Sequence, residues 1–258
     1  MPTYAETRAP GNFVWVECAT SDQEAGKKFY TSLFGWTFQD MPMGPGEFYT
    51  MFKEQGADVA ALFQISPQMG PMPPHWGLYM SAGSADDAAT KATELGAKVL
   101  MPAFDVFDAG RMTVIQDPTG AVFSVWEAKK NIGIGIAGEI NSFCWGELST
   151  PDTTAAGAFY SGLFGWGRKV GSGGGMEYTE WQHAGQSIGG MMKAMDGVPP
   201  HWLAYFRVAD CDATTKHATE MGATVIVAPM DIPNVGRFSV IRDPQGCVFA
   251  LFKVAEHG

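Results

Sequence analysis

The sequence predicts an α+β fold built from four βαβββ modules, two in each half of the chain. Three observations carry this reading. FYTSLFGW at residues 29–36 returns as FYSGLFGW at residues 159–166, an offset of 130. DPTGAVF from Asp117 returns as DPQGCVF from Asp243. Within each half, a strand-like segment, a helix with recognisable ends and three short strand-like segments occur twice in that order. Matches between these fixed points never change order: Trp15-x-Glu17 with Trp145-x-Glu147, Asp22 with Asp152, Tyr49-Thr50 with Tyr178-Thr179, PPHW ending at Trp76 and at Trp202, and Gly110-Arg111 with Gly236-Arg237. A repeat of this kind settles architecture before any single element is assigned.

Residues 12–19, NFVWVECA, alternate and are aromatic and β-branched, which predicts a strand. Thr20 is placed to cap the helix that follows. Its counterpart Thr150 precedes Pro151, a residue suited to a first helical position. The helix over residues 22–34 puts Ala25, Phe29, Leu33 and Phe34 near one face, and Gly35 ends it, because glycine accepts the left-handed conformation of a C-cap. Strands are predicted at 36–39, 48–53 and 59–65. The second module opens on a strand, HWGLYMSA, then a helix capped by Ser84 and ended by Gly96, with Asp210 and Gly222 in the same roles in the second half. Strands follow at 98–101, 111–116 and 121–126, the last two joined by the turn Asp117-Pro118-Thr119-Gly120. The halves are expected as domains over 1–130 and 139–258, joined by a Gly-rich linker at 131–138.

Composition narrows the function classes. The chain has 258 residues, a formal net charge of −10 and no basic run, which argues against nucleic acid. No segment approaches the ~20 apolar residues of a membrane span, and the first residues hold no apolar run of signal-peptide length, so a soluble, cytoplasmic protein is expected. Cys18, Cys144, Cys211 and Cys247 form no CxxC pair, and none recurs in the other half; buried free thiols are expected rather than a disulfide framework or a zinc site.

The paired βαβββ modules, the pattern D-x-x-x-A-x-x-F-Y-x-x-L-F-G-W after the first strand, and DPxG-x-x-F before the last resemble the vicinal oxygen chelate superfamily, the fold of glyoxalase I, bleomycin-resistance proteins and extradiol dioxygenases. The resemblance covers nearly the whole chain, twice. It implies that each half forms an open β-barrel around a cavity. It also implies a divalent ion held by His, Gln or Glu on barrel strands in metal-dependent members. The first such ligand stands seven residues before the Asp that opens the first helix, a position held here by Trp15 and Trp145. The last stands seven after the Asp of DPxG, a position held by Ser124 and Ala250. The usual metal site is therefore expected to be missing. No cofactor is expected, a divalent metal being the disfavoured alternative. His75 and His201, in PPHW, are read as rim histidines rather than ligands.

In place of the metal, alternation puts Trp15 with Glu17, and Trp145 with Glu147, on the face of the missing ligand. Ser124 and Trp126 would join the first pocket from the last strand. A carboxylate in an apolar strand needs a partner, and the duplicated Arg111 and Arg237 are candidates; otherwise Glu17 and Glu147 bind a ligand or act as acid or base. Trp36 and Trp166 are expected in the core. Met41, Met43, Met69 and Met72 fit either a mobile lid or ordinary loops. The expected function is a metal-free protein that binds a small aromatic or cationic molecule in one or both cavities. The alternative is a glyoxalase-like lyase, isomerase or oxygenase with a nonstandard ligand set. A small molecule is the expected partner. A monomer is compatible with paired halves in one chain, and a dimer is the alternative.

Overall fold

The computed structural model describes residues 9–173 and 176–255. The glycine-rich GSGGG stretch at 171–175 lies partly outside the described residues. In the first half the elements are β1 (Phe13–Thr20), α1 (Gln23–Phe34), β2 (Thr37–Gly44), β3 (Glu47–Glu54), β4 (Ala57–Gln64), β5 (His75–Ser81), α2 (Ala85–Glu94), β6 (Lys98–Val106), β7 (Gly110–Gln116) and β8 (Val122–Ala128). The second half repeats them as β9 (Ser142–Thr150), α3 (Thr153–Phe164), β10 (Gly167–Gly173), β11 (Met176–His183), β12 (Gln186–Lys193), β13 (His201–Arg207), α4 (Cys211–Glu220), β14 (Thr224–Ile232), β15 (Gly236–Arg242) and β16 (Val248–Val254). Each half forms one eight-stranded sheet, in the orders β2-β3-β4-β1-β5-β8-β7-β6 and β10-β11-β12-β9-β13-β16-β15-β14. Among the described residues the end strands of each sheet pair on one side only, so neither sheet closes there.

The helix ends follow local chemistry. Asp22 and Asp152, not Thr20 and Thr150, cap α1 and α3: Asp22 accepts from the Ala25 amide, and Asp152 from the amides of Thr154 and Ala155. The threonine hydroxyls accept instead from the amides of Asp22 and Asp152, at 3.3 Å each, which leaves Pro151 ahead of the cap. A carboxylate two residues on outcompetes the hydroxyl because it accepts amide hydrogens as a charged group at a helix N-terminus. Gly35 and Gly165 take the left-handed C-cap conformation, at φ 73° and 72°. Edge strands β2 and β6 run longer than the sequence predicts. Each absorbs a proline, Pro42 or Pro102, which an edge tolerates because its missing N–H need not join the ladder.

Compactness divides the chain into two units that each draw a module from both halves. One combines the segment ending at Trp15 with Gly77–Gly133 and Trp145–Leu203; the other combines Val16–Trp76 and Ile134–Cys144 with the chain from Ala204 onward. Each unit has the same polar knot in its core. In the first, the Tyr160 hydroxyl of α3 donates to Asp117 Oδ2 at 2.9 Å and accepts from Trp202 Nε1 at 2.8 Å. In the second, the Tyr30 hydroxyl of α1 donates to Asp243 Oδ2 at 2.6 Å and accepts from Trp76 Nε1 at 3.0 Å. The three repeated motifs, FY…LFGW, PPHW and DPxG, therefore meet within a unit, the tyrosine coming from one half and the aspartate from the other.

The buried aspartates are held by their own turns. Asp117 Oδ1 accepts from the amides of Thr119, Gly120 and Ala121 at 2.8, 2.8 and 3.1 Å, and from the Thr119 hydroxyl at 2.8 Å. Asp243 Oδ1 accepts from the amides of Gln245, Gly246 and Cys247 at 2.7–2.9 Å. Trp36 and Trp166 are core residues as expected, donating to the carbonyls of Asn141 and Gly11 at 2.7 and 2.6 Å. Trp76 and Trp202 are also core, only 4% and 6% exposed. The short carboxylate partners matter because a buried charge without them would cost several kcal/mol, roughly.

Candidate functional site

On β1, Cys18 touches the Tyr30 hydroxyl of α1 at 3.8 Å and so faces the helix. Alternation then turns Trp15 and Glu17 to the helix-free face. Glu17 is half-buried there, and its Oε2 accepts from the Tyr49 hydroxyl of β3 at 2.6 Å. The two residues are not on neighbouring strands. Glu17 is opposite Ala61 on β4, and Ala61 is opposite Met51 on β3. The small Ala61 side chain lets the phenol of Tyr49, stacked beside Phe63 at 6.4 Å, lean across β4 to the carboxylate.

The second half repeats the pair and extends it. Trp181 packs against Tyr160 of α3, so Tyr178, an odd number of residues away on β11, lies on the helix-free face. The Tyr178 hydroxyl donates to Glu147 Oε2 at 2.8 Å and accepts from Trp145 Nε1 at 3.0 Å. Glu147 is opposite Gly190 of β12, where the first half has Ala61. A Cβ at Gly190 would lie 1.9 Å from the Tyr178 hydroxyl oxygen, so the phenol crosses β12 over bare backbone. The result is a relay of indole N–H, phenol and carboxylate across three strands, with Trp145, Glu147 and Tyr178 all half-buried.

Burial above all, then the negative charge of Glu147, pushes the Tyr178 hydroxyl well above the usual phenol range, against the opposing effect of the Trp145 N–H. The proton therefore stays on the phenol, which acts as donor to Glu147. Tyr30 and Tyr160 are raised in the same direction, burial again being the main cause. A phenol whose folded pKa is raised adds stability that is complete below its unfolded pKa of about 10 and is lost as pH rises beyond it. Alkaline titration followed by phenolate absorbance should therefore leave these three phenols protonated until the chain unfolds, with the melting temperature falling above pH ~10. Full phenolate development in protein still folded by circular dichroism would contradict these burial effects.

The other residues singled out in the sequence stand elsewhere. Arg111 and Arg237 do not pair with the glutamates. Arg111 forks onto Asp86 at 2.7 and 3.0 Å and reaches Asp105 at 3.4 Å, while Arg237 forks onto Asp212 at 2.6 and 2.9 Å and binds Asp231 at 3.0 Å. These are solvent-side pairs that pin the first turns of α2 and α4 to β7 and β15. Tyr49 and Tyr178, the actual partners, are themselves duplicated in Tyr49-Thr50 and Tyr178-Thr179, so the signal was in the sequence. Ser124 is buried opposite Tyr79 of β5. Trp126 lies over Gly110, where a Cβ would come within 2.2 Å of its ring, and donates to the Asn131 carbonyl at 2.9 Å. His75 and His201 donate from Nδ1 to the carbonyls of Pro73 and Pro199, at 2.9 and 2.8 Å. Met41 and Met43 lie on β2, and Met69 ends a short 3-10 turn; all three are exposed.

The donor set does not fit a divalent ion at the positions the resemblance points to. Indoles at Trp15 and Trp145 and the methyl of Ala250 offer no lone pair, and Ser124 offers only a hydroxyl. Elsewhere the sulfurs of Cys18 and Cys247 and a carboxylate oxygen of Asp243 lie within 4.8 Å of one another. Both oxygens of Asp243 are already engaged, however, by three turn amides and Tyr30.

The family model described as "Glyoxalase/Bleomycin resistance protein/Dioxygenase superfamily" matches residues 12–125 and again 140–251. Over 259 residues the chain is 42% identical to the "Putative glyoxylase CFP32" of Mycobacterium bovis, covering 99% of both chains. It is 33% identical to the "Anthracycline biosynthesis protein DnrV" of Streptomyces peucetius, covering 96% of this chain and 95% of that one. Among solved structures, the Mn(II)-bound glyoxalase from Novosphingobium aromaticivorans superposes with a TM-score of 0.67 at 17% identity, over 96% of this chain and 83% of that one. The 2,3-dioxygenase LapB from Pseudomonas sp. KL28 does so with a TM-score of 0.64 at 13% identity, over 96% and 93%. These likenesses agree with the strand order, the duplicated motifs and the paired modules: the chain belongs to the glyoxalase/bleomycin resistance protein/dioxygenase superfamily, with the family's fold once in each half.

Proposed function

We propose that the protein binds a small, flat, cationic aromatic molecule at the Trp145–Tyr178–Glu147 face, with Glu17 and Tyr49 forming the related pair in the first half, and that it does so without a divalent metal. The relay carries this reading. It presents a carboxylate oriented by a phenol that keeps its proton, beside an indole whose N–H is already engaged and whose ring is half-buried. A carboxylate and an aromatic face together suit a delocalised cation through charge and stacking. The net charge of −10 favours its approach. The relative from Streptomyces peucetius, named for anthracycline biosynthesis, points to the chemistry of flat polycyclic aromatics. In this reading the binding form is a monomer, with the paired modules supplied by one chain.

A titration with proflavine, read by tryptophan fluorescence, tests it. Saturable quenching is expected, unchanged by EDTA. Trp145→Phe should remove most of the signal change, and Glu147→Gln should weaken binding about tenfold, equivalent to ~1.4 kcal/mol. Absence of saturable quenching across a panel of planar cations would overturn the ligand class. Loss of binding in EDTA would overturn metal independence.

The Tyr178–Glu147 pair also supports a second reading, a glyoxalase-like isomerase or lyase in which the carboxylate takes a proton and the phenol gives one. The name of the relative from Mycobacterium bovis favours it. Turnover of the glutathione–methylglyoxal hemithioacetal that is lost in Glu147→Gln or Glu17→Gln would establish it. No turnover above the uncatalysed rate would leave the binding reading alone.

A further inference from the structure

The unit built from the first and last modules contains a pair of thiols that neither the binding reading nor the fold requires. Cys18 on β1 and Cys247, just before β16, are 229 positions apart in the chain, yet their Sγ atoms lie 2.9 Å from each other. Both residues are fully buried. Cys247 Sγ also donates to the Ala19 carbonyl at 3.3 Å. In the other unit the repeat puts Leu148 and Ala121 at the matching positions, and both are fully buried as well. Leucine and alanine thus satisfy the same packing, so sulfur is not needed to fill the space. The remaining cysteines stand apart from this pair, Cys144 beside the Tyr205 carbonyl at 3.4 Å and Cys211 beside that of Leu251 at 3.9 Å.

We propose that Cys18 and Cys247 are a two-electron oxidation site that closes into an intramolecular disulfide, tying β1 to the head of β16. The sulfurs are already near the separation at which a bond of about 2.05 Å can form by small side-chain rotations. With hydrogen peroxide as oxidant, one thiolate sulfur attacks a peroxide oxygen. The O–O bond breaks, and the departing oxygen leaves as water with the proton that the thiol gave up and one from the peroxide. The second sulfur then attacks the sulfenic sulfur. The S–O bond breaks, and the hydroxide takes the second thiol's proton to leave as another water. Two thiols and one peroxide give one disulfide and two waters. The hydrogen bond with Cys18, burial and the charge of Asp243 all push the Cys247 thiol up. The reaction is accordingly slow beside that of an exposed low-pKa thiol, and peroxide is small enough to reach the pair through fluctuations of the core.

The whole chain is treated with hydrogen peroxide under native conditions, then denatured, alkylated with iodoacetamide and digested without reductant for mass spectrometry. The expected result is one linked peptide pair holding Cys18 and Cys247, with Cys144 and Cys211 alkylated. The loop closed is long, so oxidation should raise the melting temperature by about 5–10 °C, reversed by dithiothreitol. The double variant Cys18→Leu with Cys247→Ala copies the other unit, so it should fold and should lose the oxidation-dependent rise. Alkylation of all four cysteines after oxidation, conversion of Cys18 or Cys247 to sulfinic acid without linkage, or a rise that persists in the double variant would overturn the proposal. The linkage is read directly in the unmodified sequence, so the outcome does not hang on the variant's folding.

Discussion

Replacing Asp117 with alanine is expected to lower the unfolding free energy by about 3–5 kcal/mol, the range for removing one partner of a buried, fully hydrogen-bonded charge. The side chain is 3% exposed, and its two oxygens accept five hydrogen bonds. Its loss strands the Tyr160 hydroxyl, which would keep only its acceptor role toward Trp202, and three turn amides at positions 119–121. It also leaves a void in the turn between β7 and β8. For a chain of this size the change corresponds to a fall in melting temperature of about 10 °C. Asp108→Ala provides the comparison, because Asp108 is exposed and its ion pair with Lys130 is of a kind worth about 0–1 kcal/mol. Equal melting temperatures for the two variants would show that the Tyr–Asp knot does not hold the unit together. Asp243→Ala should repeat the loss in the other unit, where the Tyr30 hydrogen bond is shorter, at 2.6 Å.

That knot shows what the sequence could and could not disclose. Each of its three motifs stands out as a repeat, and each was assigned correctly to a helix end, a strand start or a turn. Their meeting was invisible, because the tyrosine of one half bonds the aspartate of the other across 213 positions in one unit and 43 in the other. Periodicity reports which face of an element is buried but not which distant element covers it. The partners of Glu17 and Glu147 failed for a related reason. A duplicated arginine is the obvious counter-charge, but Arg111 and Arg237 stand where their forks meet the first-turn aspartates of α2 and α4, and phenols two strands away take the glutamates. The cap assignment failed locally, since Thr20 and Asp22 are both good caps and only backbone geometry ranks them. The length of β2 and β6 failed because proline reads as a strand breaker until the strand is known to be an edge. What succeeded was the repeat: the duplicated motifs give both halves one order of strands and helices, and the two sheets have it.

Substituting Gly190 with alanine should dismantle the second site while leaving the fold standing. The added Cβ falls 1.9 Å from the Tyr178 hydroxyl and 2.4 Å from the ring carbon that bears it. Neither can share that space, and the far end of a side chain yields more readily than backbone, so the phenol must swing off β12. Glu147 then loses its tyrosine donor and Trp145 loses its acceptor. A hydrogen bond to a charged group is worth about 1.5–3 kcal/mol, so binding of a cationic probe that depends on the oriented carboxylate should weaken roughly ten- to hundredfold. Melting temperature should shift by only a few degrees, and phenolate absorbance should now develop for one more tyrosine before unfolding. The first half supplies the reference state, because Ala61 occupies the matching position and Tyr49 reaches Glu17 by leaning along Phe63 instead. The second half has Met192 in place of that ring, so Tyr178 has no aromatic wall to lean on after the substitution. Unchanged affinity together with an unchanged phenol titration would mean that Tyr178 reaches Glu147 by another route and that Gly190 does not set the site. Affinity lost with the titration unaltered would place the added methyl in the ligand's own space rather than the tyrosine's.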